Sequence, residues 1–110
     1  MFFAAPDESI WVGTLRLGLR IPASRSLKDR RRAVGQIRDR LRSRPHLVVA
    51  DVGHLEDRGR AVLAICTVSN DQRAVQSALD GLVYEIEGWG RVRVESRTID
   101  IARPFALEEA

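Results

Sequence analysis

The side chains best suited to metal binding or nucleophilic attack are few: His46, His54 and the single cysteine, Cys66. The two histidines bracket the β-rich run HLVVADVGH, eight residues apart. At about 3.3 Å per residue they stand roughly 26 Å apart along a strand, too far to share a metal unless the chain folds back after Gly53. One cysteine supplies neither a thiolate pair for zinc nor an internal disulfide, which fits a reducing, cytoplasmic compartment. Cys66 lies in the most apolar stretch, RAVLAICTVS, where a free thiol is expected to be inert packing. Ser24, Ser26 and Ser69 fall where helix caps are expected. The GxSxG, Walker A and GxGxxG patterns do not occur. The expectation is a non-enzymatic protein with no metal and no cofactor.

Charge is the stronger signal. Residues 25–44 carry nine basic and two acidic side chains, a local +7 on a chain whose total is +3. The remainder is therefore mildly acidic, and the chain is electrostatically polarised. The sequence has 110 residues, 45% hydrophobic and 30% charged, which suits one compact domain with one core. No apolar run is long enough to span a bilayer. The N-terminal MFFAAPDES has no basic region and too short an apolar stretch for the expected pattern of a secretion signal. The expected organisation is a lead-in over residues 1–9, one domain over residues 10–103 and a tail over residues 104–110.

The elements that must position these residues read as follows. In IWVGTLRLGLRIP, Leu15, Leu17, Leu19 and Ile21 alternate with Thr14, Arg16, Gly18 and Arg20, the period-two pattern of a strand with one buried face. Ser24 or Ser26 caps a helix whose apolar stripe is Leu27, Val34, Ile37 and Leu41, ended by SRP at 43–45. Residues 46–53 and 60–69 read as strands joined by the polar link HLEDRG, a hairpin. The near-continuous apolar character of 60–69 marks a strand in the middle of a sheet. Ser69 or Asn70 caps a second helix with the stripe Val75, Leu79, Leu82, Val83 and Ile86, and EGWGR at 87–91 is its exit. In the last strand, residues 92–101, Val92 and Val94 have the opposite parity to Ile99 and Ile101, so a bulge is expected near Ser96–Thr98.

The order β-α-β-β-α-β with right-handed crossovers places both helices on one face of a four-stranded antiparallel sheet, a ferredoxin-like α+β sandwich. On a nominal helical wheel with Leu27 at zero, Arg38, Arg31, Arg42, Lys28, Arg32 and Arg25 spread over roughly 20° to 160° on one flank of the apolar stripe. Such a ridge can neutralise phosphates. It can equally be a solvated face whose arginines cover the sheet edge. Arg30, near −60°, falls inside the stripe, so its stem is expected to pack there while its head snorkels or pairs, with Asp51 and Glu95 as the candidate partners. Acylphosphatases share this topology and cradle phosphate in the loop after the first strand. Here that loop, IPASRS, offers Arg25 without a glycine-rich cradle. The chain has six aromatic residues and none in the third strand, and it has no GxxG clamp, so it is neither a standard RNA-recognition motif nor a KH domain. The open sheet face, with Arg16, Gly18 and Arg20, offers a second surface. It suits a homodimer, as in ACT-type regulatory domains, or contacts with a protein or small ligand.

The stretch GTLRLGLRIPASRSLKDRRRAV, together with ADVGH at 50–54 and VSND at 68–71, resembles the YlxP-like family of small bacterial proteins, domain of unknown function 503. The resemblance covers about residues 10–103. The chain departs from it in Asp29, where glutamate is usual, in Arg30, where lysine is common, and in its N-terminal extension. The resemblance implies the ferredoxin-like fold and no established activity. The family's gene neighbourhoods, among transcription and translation factors, imply a link to RNA or the ribosomal subunits. Its motif positions here are Ser26, Leu27, Lys28, Arg30, Arg31, Gly53, His54, Ser69, Asn70 and Asp71.

Overall fold

A computed structural model describes residues 8–105; most of the expected lead-in and tail lie outside the described residues. The elements are β1 (Trp11–Arg20), α1 (Leu27–Arg42), β2 (Val48–Gly53), β3 (Arg60–Ser69), α2 (Gln72–Gly88) and β4 (Arg93–Ala102). All strand pairs are antiparallel and the order across the sheet is β2-β3-β1-β4, so β1 and β3 are central. Both helices pack on one face, and the ferredoxin-like α+β sandwich is the architecture.

The alternation in β1 sets the layer boundary. Leu15, Leu17, Leu19 and Ile21 are buried beneath the helices, joined by Leu63 and Ile65 of β3 and by the apolar stripes of α1 and α2. Gly13 lets α2 approach β1 closely: a Cβ there would stand 2.2 Å from Val75 Cγ1 and 2.8 Å from Leu79 Cδ1. The bulge in β4 exists but sits one residue earlier than expected. Gly18 pairs with Ser96 and Leu19 with Val94, leaving Glu95 without a partner on β1. That extra residue puts Val94, Ile99 and Ile101 on the core side together. A second irregularity in β2 skips Val52 between Asp51 and Gly53.

The caps differ from the expectation at α2. Asp71, not Ser69 or Asn70, is the N-cap, and its carboxylate accepts the Arg73 N–H at 3.0 Å. Ser69 instead accepts the N–H of Asp71 through its hydroxyl at 3.2 Å. His46 lies outside β2, with a φ of 72°, because the turn that follows α1 occupies residues 43–47. Cys66 is not in the core. Its register opposite Thr14 places it half-buried on the open face, its Sγ 3.5 Å from Thr14 Oγ1. A continuous apolar run conceals strand parity, and only the pairing with β1 reveals it.

Candidate nucleic-acid interface

The start of α1 is built by a reciprocal cap. Ser26 accepts the Asp29 N–H at 3.0 Å, and the Asp29 carboxylate accepts the Arg25 N–H at 3.0 Å. One turn later the helix is anchored by Arg30, which is 1% exposed. Its guanidinium donates to both oxygens of Asp51, Nη1 at 2.8 Å and Nη2 at 3.0 Å. Nε donates to the Arg60 carbonyl at 2.7 Å, and Nη2 also donates to the Gly53 carbonyl at 3.0 Å. One buried cation thus fastens α1 to both strands of the β2–β3 hairpin. The other candidate partner, Glu95, sits at the β4 bulge and instead accepts from Arg60 Nε at 3.2 Å, with Arg20 4.0 Å away. Arg30 takes the buried place at the N-terminal end of the stripe, while Leu27 is half-buried there.

This anchor fixes which flank of α1 faces outward. Lys28, Arg31, Arg32, Arg38 and Arg42 are all exposed on the helix. From Lys28 to Arg42 the helix rises about 21 Å. Arg25 is exposed too, but it precedes the Ser26 cap and lies off the helix. Asp39 shares the flank and pairs with Arg42 at 3.4 Å, which reduces the charge at that end. Arg44 pairs with Glu85 of α2, and Arg40 stacks on Trp89, 4.6 Å from the ring centroid. Arg25, Lys28, Arg31, Arg32 and Arg38 have no ion pair among the described residues.

The motif positions divide by task. Ser26, Arg30, Ser69 and Asp71 make the caps and the anchor described above. Gly53 supplies a carbonyl to the anchor, and a Cβ on it would lie 2.9 Å from Val62 Cβ. His54 turns the chain after β2 with a φ of 55° and is exposed, as is Asn70. Lys28 and Arg31 are the two charged motif positions with no such structural task.

The second surface is less as expected. Arg16 and Arg20 are exposed on the open face, but Gly18 is buried, with Ser96 close above it: a Cβ there would meet Ser96 Oγ at 2.3 Å. Sequence reasoning missed what dominates the other half of that face. Val48, Val52 and Val68 are 68%, 53% and 55% exposed. The exposures of Val48 and Val68 follow from a strand parity that apolar runs conceal, while Val52 sits at the β2 irregularity. Among the described residues no group of three or more His, Cys, Asp or Glu could hold a metal ion, and no helix is long and apolar enough to cross a membrane.

Fold and surface together define a small ferredoxin-like sandwich whose first helix presents an outward row of cations. The chain belongs to the family described as a protein of unknown function, DUF503, whose model matches residues 12–99. No curated protein matches the sequence. Among solved structures it is similar to one titled "De novo designed protein Foldit4", with 12% identity over 84% of this chain and 96% of that chain and a TM-score of 0.50, a likeness of fold alone.

Proposed function

We propose that this protein is a non-enzymatic, cytoplasmic RNA-binding module that contacts phosphates, those of ribosomal RNA foremost, through the outer flank of α1. The observation that carries this reading is the set of exposed cations, Lys28, Arg31, Arg32 and Arg38 with Arg25 beside them, left without ion pairs while acidic partners occupy Arg30, Arg42 and Arg44. Unneutralised cations on a rigid helix release counterions from a polyanion. The contacts are to the backbone, so binding is weakly sequence-selective.

The test is a gel-shift titration of structured ribosomal RNA at two salt concentrations. Affinity falls steeply with salt, and the Lys28→Ala, Arg31→Ala, Arg32→Ala triple variant binds more weakly with a salt slope shallower by about 2–3. These side chains point off the core, so the variant stays folded. Absence of any retention by the native protein at low salt refutes the reading.

A second reading rests on Val48 and Val68, exposed on the open face, with the exposed Val52 at the irregularity of the edge strand β2. Exposed apolar patches of this kind mark association surfaces. On this reading the protein is a homodimeric regulatory or scaffolding module. Light scattering at high micromolar concentration then gives twice the chain mass, and Arg16→Glu with Arg20→Glu, on the same open face, abolishes it.

A further inference from the structure

A cleft of about 360 Å³ opens where β1 ends, α1 begins and α2 passes into β4. That volume lies in the range of small-molecule sites, which runs from about 300 to 1,000 Å³. Its floor is apolar, formed by Ala33 and Ile37 of α1 with Trp89 and Val92 from the far side. Its charged lining is Arg32, Arg40 and Arg91 against a single carboxylate, Asp29. Asp29 already accepts the Arg25 N–H in the helix cap, so the lining favours an anion. Arg40 and Trp89 are pre-stacked at 4.6 Å. Guanidinium planes and aromatic rings are the surfaces on which unpaired bases stack. Arg32 belongs both to this lining and to the phosphate-facing row on α1.

We infer that the cleft takes one unpaired nucleotide of a bound RNA. Its base lies over the apolar floor beside the Arg40–Trp89 pair, and its phosphate meets Arg32 and Arg91. The inference rests on the RNA-binding reading and adds to it a preference for RNA with unstacked bases. The row of cations alone would treat duplex and single strand alike. Arg32 makes cleft and row continuous, which favours a nucleotide within a strand over a free one.

The experiment uses the full chain carrying Trp11→Phe, so that Trp89 is the only tryptophan. The probes are an eight-nucleotide oligouridylate, a blunt RNA duplex of sixteen base pairs, and uridine monophosphate. The oligonucleotide is expected to change Trp89 fluorescence saturably, and the duplex to bind without that change. Ala33→Phe fills the floor and Arg91→Glu reverses the rim. Each is expected to weaken oligonucleotide binding about tenfold or more while duplex binding changes less than threefold. Arg91 is exposed, so its variant tests the cleft even if Ala33→Phe misfolds. Duplex binding without any oligonucleotide signal at Trp89 overturns the inference and leaves the phosphate reading standing. Oligonucleotide binding through the cleft with no duplex binding supports the inference and removes the duplex part of that reading. Saturation by uridine monophosphate at the oligonucleotide's own concentration overturns it in favour of a free-nucleotide site, and no Trp89 response to the oligonucleotide or to uridine monophosphate overturns it outright.

Discussion

Replacing Arg30 by alanine should cost as much stability as truncating a core residue of α1. The guanidinium is almost wholly enclosed and makes four hydrogen bonds, two of them bidentate to Asp51, whose side chain is 16% exposed. Removing it leaves a largely buried carboxylate without its cation and takes a donor from the Arg60 and Gly53 carbonyls. Breaking one side of such a buried pair costs about 3–5 kcal/mol. Small domains are stable by roughly 5–15 kcal/mol in all, so the loss is a large part of the total. The double change Arg30→Met with Asp51→Leu leaves the same Arg60 and Gly53 carbonyls short of a donor but no unpaired buried carboxylate. It should therefore be more stable than Arg30→Ala with Asp51 intact. Urea unfolding of native protein, Arg30→Met, Asp51→Leu and the double variant gives the coupling directly, with Arg30→Ala measured beside them. Additive losses, or an Arg30→Ala cost below about 1 kcal/mol, would show that the bidentate pair does not hold α1 to the hairpin.

Further outcomes follow from local geometry. Gly13→Val drives a side chain into Val75 and Leu79, which are 1% and 0% exposed, and should lower stability by about 1–3 kcal/mol, whereas Gly35→Ala, with open space around it, should raise it by roughly 0.5–1 kcal/mol in the same urea assay. Asp57 should titrate below its ordinary 3.8 in a carboxyl NMR titration, chiefly because the Gly59 N–H donates to its carboxylate at 2.8 Å, with the Arg60 charge adding to it. A carboxyl lowered on folding contributes stability that is complete above its unfolded value and lost as pH falls through the folded one, so the turn at 54–59 should loosen only below 3.8, and Asp57→Asn should remove that acid sensitivity.

The sequence determined whatever depends on local period and local capping. Alternation in Leu15, Leu17, Leu19 and Ile21 has one meaning for a strand, so the buried face of β1 and the chain order of elements were legible. A start of α1 at Ser24 or Ser26 was legible from capping chemistry, with the choice of Ser26 left to the structure, and the place of Arg30 inside the apolar stripe was legible because a helical wheel is set by 3.6 residues per turn. Apolar runs such as RAVLAICTVS carry no period, so the side of the sheet that holds Cys66 and Val68 became definite only when β3 paired with β1. A wheel also cannot say which strand lies beneath a helix. Asp51 rather than Glu95 meets Arg30 because α1 packs over the hairpin while Glu95 sits at the β4 bulge. The cleft at Trp89 is the furthest from sequence. Its walls come from residues 21–40 and 89–92, and only the tertiary packing that lays the end of α2 beside α1 brings them together.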